Sequence, residues 1–289
     1  MSPGPRTGLG DTFYLHQPNM KQLDPNRLCL ARPSSRKTEY ASLGSYLYLL
    51  GCNITRHYPE ITTCLYEVHE SRIVLMRNMI VAEAKKQGCG KIYMIDPDAR
   101  LDFYVRRNPD GSYANRFRPF FDLAWAFMRE HREDIGPCVL GVPARGCSPQ
   151  NEVQVFRRAP GDSLTKIPNE EAKHLTGWYR VGAVGTHAML IDTNVFSRLE
   201  HPYFEDVYRD NTHTQLWRGQ DVTFCRKCTL VDIPVLVNFD CWSDHWQDEC
   251  VRMPGAEDAP VHDIPKEWSS PPQSQPAPND TEPKYTVLE

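Results

Sequence analysis

No stretch of this 289-residue chain approaches the roughly 20 consecutive apolar residues that a membrane helix requires. The longest candidate, around Tyr46 to Leu50, is far too short. The opening residues Met1-Ser2-Pro3-Gly4-Pro5-Arg6 lack an apolar core, so no secretory signal is expected, and the chain reads as a soluble, cytoplasmic protein with no membrane span. Charge of one sign is also lacking. Lys and Arg number 33 against 37 Asp and Glu, a net charge of −4, so whole-chain electrostatics give no reason to expect nucleic acid as the main partner. No internal repeat is visible.

Cysteine is not scarce: there are ten. Without a secretory signal they are not expected to form disulfides. Cys29, Cys64, Cys138 and Cys225 sit in apolar runs and read as small buried hydrophobes. Cys225 and Cys228 form a CxxC with Cys241 and Cys250 downstream, which permits a zinc-stapled interaction module. Neither downstream cysteine belongs to a second CxxC, and no Gly-rich knuckle accompanies the first.

The hydrophobic pattern alternates between the two regular periods. Arg27 to Pro33 reads as a strand, Glu39 to Leu50 as a helix stopped by Gly51, and Thr62 to Val68 as a second strand. Ile73, Met76, Ile80, Val81 and Ala84 recur at helical spacing, with Gly88 as a stop. Lys91 to Ile95 is a strand, Pro119 to His131 a helix, and Pro137 to Pro143 a strand. This order predicts an α/β fold, a mostly parallel sheet flanked by helices in a single domain. The second half is less regular. Residues 146 to 176 read as a long loop, Val181 to Ile191 as a Gly-punctuated strand, Thr193 to Leu199 as a short helix, Gln220 to Cys228 as a helix, and Leu230 to Phe239 as a strand. Residues 1–24 read as a flexible arm, 25–252 as the folded domain, and 253–289 as a disordered Pro-rich tail.

Chemistry concentrates at Lys91-Ile92-Tyr93-Met94-Ile95-Asp96-Pro97-Asp98. Side chains two apart on an extended backbone point the same way, so Asp96 and Asp98 are expected to converge at the mouth of a strand. Paired carboxylates suit Mg²⁺ or Mn²⁺, hard cations that bind through one or two carboxylates plus substrate phosphates. In an open α/β sheet, ligands bind at the carboxyl ends of strands. Arg32 and Ser34 follow the first strand and fall on the same rim, where Arg32 could meet a base edge or a phosphate.

Three further segments support a family resemblance. Ser71-Arg72-Ile73 with Arg77-Asn78 and Ala82, ahead of Asp96-Pro97-Asp98, resembles glycosyltransferases of the GT-A fold, closest to compact family-two-like enzymes of phages and bacteria. Val181-Gly182-Ala183-Val184-Gly185-Thr186-His187-Ala188-Met189-Leu190-Ile191 followed by Val195-Phe196 is similar to that group's G-T-G-x-x-L-I…V-F segment. Gly219-Gln220-Asp221-Val222-Thr223-Phe224-Cys225 is similar to its G-E-D-x-x-F-C segment, and His245 matches the histidine that completes the metal site. The likeness covers roughly residues 27 to 246.

The resemblance implies a nucleotide-diphosphate sugar donor (UDP- or GDP-sugar) and an Mn²⁺ or Mg²⁺ cofactor. It implies that Asp98 and His245 ligate the cation, and that Asp96 contacts the ribose or the metal shell. Asp221 would be the base of an inverting transfer, while Arg77 and Asn78 would contact the nucleotide or brace the loop around it. Two residues depart from the pattern: Gln220 replaces a Glu, and His187 a Gly. A nucleotidyltransferase would use the same paired carboxylates, but no Gly-rich signature with a basic residue supports it. Trp178, Tyr179, Trp242 and Trp246 are candidates either for stacking on a sugar or for core packing. The acceptor is unidentified; Arg106, Arg107, Arg116, Arg118, Arg157 and Arg158 form a local basic excess that would suit an anionic one.

Overall fold

The structure, a computed structural model, describes residues 21–34, 41–70, 72–101, 106–107, 113–114, 120–144, 152–172, 174–210, 212–247, 250–252 and 285–288. Its centre is an eight-stranded sheet. In chain order the strands are β1 (Asp24–Ser34), β2 (Thr62–His69), β3 (Cys89–Ile95), β4 (Val139–Gly141), β5 (Trp178–Arg180), β6 (Ala188–Asp192), β7 (Val235–Asn238) and β8 (Thr286–Val287). Their spatial order is β8-β5-β7-β4-β6-β3-β1-β2. Four helices matter for packing: α1 (Ala41–His57), α2 (Ile73–Gln87), α3 (Phe120–Glu130) and α4 (Gln220–Leu230).

Both faces of the sheet are covered, so its central strands are apolar on both sides. All seven residues of β3 are buried. Tyr93 and Ile95 join Leu28, Leu30, Leu140, Leu190 and Leu236 on one face, under Leu43, Tyr46, Leu50 and Ile54 of α1 and Phe120, Phe121, Ala124 and Trp125 of α3. Ile92 and Met94 join Cys29, Val139, Met189, Ile191, Val235 and Val237 on the other, under Met76, Ile80, Val81 and Ala84 of α2 and Phe224, Cys225 and Cys228 of α4. The strict alternation of neighbours between the two clusters is the pleat itself.

β1, β2 and β3 pair in parallel, with Cys29 opposite Cys64 and Leu30 opposite Tyr93. The expectation of a mostly parallel sheet needs a refinement at β6, which runs antiparallel to both β3 and β4. β7 is parallel to β4, whereas β5 is antiparallel to β7. The carboxyl ends of β1, β2, β3, β4 and β7 therefore share one rim with the amino end of β6.

Several boundaries differ from the sequence reading for identifiable reasons. α1 continues through Gly51 to His57. An interior glycine costs about 1 kcal/mol, but Leu50 and Ile54 on either side of it both bury against the sheet. Gly88 does end α2: at φ 73° it takes the left-handed conformation, and its N–H reaches the carbonyls of Ala84 and Lys85. The apolar stretch 181–191 is two short strands, Ala183–Val184 and β6, separated by a turn at Thr186-His187. Within the expected long loop, Val155–Ala159 and Ser163–Lys166 form a hairpin around Pro160-Gly161 that pairs with Ala183–Val184. Thr193–Ser197 is 3-10 helix, and the strand read over 230–239 is confined to Val235–Asn238.

At the amino end, β1 begins within the expected arm; residues 1–20 lie outside the described residues. At the carboxyl end, Thr286–Val287 returns to the sheet beside β5, while 253–284 lie outside the description. No helix among the described residues is long and apolar enough to cross a membrane.

Candidate active site at the rim of the sheet

Asp96 is the first residue beyond β3 and stands on the shared rim. Its backbone N–H donates to the His187 carbonyl at 3.0 Å, tying the end of β3 to the turn that precedes β6. Its own carbonyl accepts from the Ala99 N–H at 3.1 Å. Residues 96–99 are thus a closed turn, and this corrects the sequence argument for the acidic pair. β3 ends at Ile95, so Asp96 and Asp98 share the rim through a tight turn containing Pro97 and not through strand alternation.

Arg77 comes from the buried face of α2, and its Nη2 donates to both Asp96 oxygens, at 2.6 and 2.7 Å. The arginine side chain is 2% exposed and the aspartate 16%, so the pair lies at the boundary between core and rim. Nε and Nη1 of Arg77 are buried without a hydrogen-bond partner among the described residues. Thr186 Oγ1 adds a third hydrogen bond to Asp96, at 3.3 Å. A carboxylate held by three hydrogen bonds from two side chains is fixed in one orientation.

The turn carrying Thr186 also meets Asp221. A Cβ built on Gly185 would stand 3.2 Å from Gln154 Cβ, 3.6 Å from His187 Cδ2 and 3.8 Å from Asp221 Oδ2. Asp221 lies in the first turn of α4, where Oδ1 accepts the Val222 N–H at 2.8 Å. Gly219, immediately before α4, passes so close to that carboxylate that a Cβ there would meet Oδ1 at 3.0 Å. The structure therefore gathers Asp96, Arg77, Thr186, His187 and Asp221 around one turn. His187 does not need the freedom of a glycine, because its backbone is not left-handed. Gln220 is 9% exposed, with Oε1 buried and unpartnered among the described residues. An ionised Glu in its place would bury a charge.

His245 lies on Ser243–Gln247, which pairs antiparallel with Ala99–Leu101. The register sets His245 opposite Ala99, the residue after Asp98, an arrangement that puts the two Cα atoms about 5 Å apart. The backbone of the third expected ligand is therefore at the rim, while its side chain lies outside the described residues. Among the described residues, no three His, Cys, Asp or Glu side chains gather as a metal site.

The remaining expected residues are engaged within the fold. Arg32 is buried and pairs with Glu67 Oε2 at 2.7 Å, its register partner on β2. Asn78 Nδ2 donates to the carbonyls of Val74 and Phe204, at 2.9 and 2.8 Å, and Oδ1 accepts the N–H groups of Tyr203 and Phe204, at 3.0 and 3.3 Å. These bonds tie the 203–204 segment to α2. Trp178 packs on Phe120 and Phe127, Tyr179 meets Phe239 edge to face, and Trp242 does the same, so these three serve the core. Arg157 pairs with Glu171. Arg116, Arg118 and the side chains of Arg106, Arg107 and Trp246 lie outside the described residues.

The zinc alternative does not survive the topology. Cys225 and Cys228 are buried in the cluster on one face of the sheet, and Cys241 belongs to the cluster on the other. Burial pushes the Cys225 thiol up to about 12 and raises Cys228 well above its usual range, as suits small buried hydrophobes; the Cys250 side chain lies outside the described residues.

Thr186 and Glu67 were not singled out from sequence. Thr186 stands inside the G-T-H segment that carries the resemblance. Glu67 is the lone acid in an otherwise apolar-alternating strand, and only the register of β1 with β2 reveals what it faces.

No protein-family model matches the chain, and no curated protein matches it. Among solved structures it is similar to A197 from STIV, at 12% identity over 81% of this chain and 97% of that chain, TM-score 0.45. It is also similar to UDP-glucose pyrophosphorylase complexed with UDP-glucose, at 8% identity over 74% and 72%, TM-score 0.36. A third is a glycosyltransferase involved in glycosylation of the major capsid of PBCV-1, at 12% identity over 61% and 68%, TM-score 0.28. At these scores the likenesses assign neither a family nor an activity.

Proposed function

We propose that the chain is a metal-dependent glycosyltransferase of GT-A type, moving a sugar from a UDP- or GDP-sugar to an acceptor hydroxyl. One observation carries this reading: the Asp96 carboxylate, fixed by Arg77 and Thr186 at the carboxyl end of β3, on the same turn as Asp98 and beside the turn that Asp221 approaches. Two carboxylates on one rim satisfy what Mg²⁺ or Mn²⁺ asks of a protein when a substrate diphosphate completes the shell. Asp98 and His245 would hold the ion, with Asp96 contributing to its shell or to the ribose. When bound, the ion would supply neutralisation of the charge that builds on the departing nucleoside diphosphate.

The chain's own residues have separable tasks. Arg77 holds the Asp96 carboxylate aimed at the rim. Asp221 takes the proton from the acceptor hydroxyl as its oxygen attacks the anomeric carbon and the bond to phosphate breaks, as an inverting transfer requires. Asn78 holds the 203–204 segment against α2.

The test is a panel of nucleotide sugars in a thermal-shift assay, with and without Mn²⁺. A donor at about 100 times its Kd stabilises the folded chain by about 2.7 kcal/mol. The expected result is metal-dependent stabilisation by one donor class, and donor hydrolysis or transfer that disappears in Asp98→Ala. If no UDP- or GDP-sugar shifts the melt in either condition, the reading is wrong.

A further inference from the structure

Three cysteines that the rim does not use converge at its far side. Cys29 on β1 lies opposite Cys64 on β2, and Cys89 opens β3. Cys64 Sγ and Cys89 Sγ are 3.4 Å apart, and Cys29 lies on the strand between them, in register with Cys64. Cys29 and Cys89 are buried, whereas Cys64 is only half-buried, on the edge strand of the sheet. The sequence reading placed Cys64 among buried hydrophobes; its position on an uncovered edge changes that.

We propose that Cys64 is a selective thiol-modification site, which takes up low-molecular-weight disulfides such as glutathione disulfide because the Cys29 and Cys89 thiols converge on its sulfur. In the step, the Cys64 sulfur attacks one sulfur of the disulfide. The S–S bond breaks, a mixed disulfide forms on Cys64, and one glutathione leaves as thiolate; the proton that Cys64 loses goes to solvent. Cys29 and Cys89 are positioning residues, because each keeps its proton and donates it toward Cys64.

The acid–base balance of the cluster agrees with this division. S–H donation from Cys29, then from Cys89, lowers the Cys64 thiol well below its usual range, against the opposing effect of burial. The same hydrogen bonds push Cys29 far up. A thiolate solvated by two thiol donors is the reactive form, and one at an accessible strand edge can be reached. Arg27 adds a smaller electrostatic contribution in the same direction.

Exposure alone favours a different cysteine. Cys52 on α1 is exposed and lies outside this cluster, so it is the internal reference. The experiment alkylates the folded full chain with limiting iodoacetamide and follows each cysteine by peptide mass spectrometry. From about pH 8 down to about pH 5 an ordinary thiol loses about tenfold in rate per unit, as its thiolate fraction falls. Cys64 is expected to hold its rate across that range while Cys52 falls. In Cys29→Ala/Cys89→Ala, Cys64 is expected to regain the ordinary slope. At the acid end, glutathione disulfide should place one adduct per chain, on Cys64. A Cys64 rate that falls in parallel with Cys52 in the wild-type chain, or no labelling of Cys64 while the chain is folded, overturns the proposal. The wild-type profile decides the matter even if the double variant does not fold.

Discussion

Arg77 Nη2 reaches both oxygens of Asp96, at 2.6 and 2.7 Å, joining the buried face of α2 to the end of β3. Removing one member of a buried pair leaves the other charge uncompensated, which costs about 3–5 kcal/mol. Asp96 keeps some contact with water, so the low end applies. Arg77→Met is expected to lose about 3 kcal/mol in denaturant unfolding, and to lose donor stabilisation in the thermal-shift assay as well. Arg77→Lys keeps the charge but offers no planar fork, so it should recover part of the stability and little of the binding. Full donor binding in Arg77→Met would show that Asp96 needs no such orientation.

Asn78 separates bracing from binding. Its amide satisfies two backbone N–H groups and one carbonyl of the Tyr203-Phe204 segment, and Phe204 is fully buried. Unsatisfied buried polar groups cost about 1–3 kcal/mol each. Asn78→Ala should therefore lower stability by about 2 kcal/mol. In the protein that remains folded, the Kd for a nucleotide-sugar donor should stay unchanged. A specific loss of donor affinity with unaltered stability would return Asn78 to the binding site.

The parts of the fold that were legible in the sequence are those written in local periodicity. The order β1, α1, β2, α2, β3 follows from apolar runs that switch between strand and helical spacing and from Gly88, whose left-handed φ stops α2. Direction was not legible. β6 reads as an apolar strand either way round, and only its pairing with β3 and β4 makes it antiparallel. The short hairpin around Pro160-Gly161 carried its signal in Val153, Val155 and the Pro-Gly dipeptide, but its strands find partners in Ala183–Val184, far along the chain. The candidate site divides similarly. Asp96, Arg77 and Asp221 were each visible as motif residues. That Arg77 grips Asp96, that Glu67 engages Arg32, and that Thr186 completes the cradle depend on tertiary contacts that no spacing records. His245 was the most distant of the expected residues, yet its strand is in register with Ala99.

Asp122 in the first turn of α3 offers a test of the packing between α1 and α3. Burial raises its pKa, opposed by hydrogen bonds from Tyr58 and from Asn53 Nδ2, the latter at 2.9 Å. A carboxyl with a raised folded-state pKa binds its proton more tightly in the native protein. Its contribution to stability is present at pH values below the ordinary carboxylate range, and is lost as pH rises through the folded-state pKa. Asp122→Asn cannot titrate. Its stability relative to wild type should therefore increase as pH is raised from about 4 toward neutrality. Parallel stability–pH curves for the two proteins would contradict the burial of this group.

Asp221 carries the most specific chemical claim, and its geometry supplies a clean variant. Oδ1 accepts the neighbouring Val222 N–H, and Oδ2 faces the Gly185 turn. An asparagine preserves one acceptor oxygen and nearly the same shape, so Asp221→Asn should fold with stability within about 1 kcal/mol of wild type, the usual worth of a first-turn carboxylate. It cannot accept a proton at neutral pH. A residue that acts as general base and does not bind donor should, on replacement, leave the donor Kd intact and lower kcat by a factor on the order of 10² to 10⁴. Donor hydrolysis by water and transfer to an acceptor should fall together, because both require deprotonation of the attacking oxygen. If Asp221 only stabilises the amino end of α4, the variant will melt slightly earlier and turn over at the wild-type rate, and the base must then be sought elsewhere on the rim.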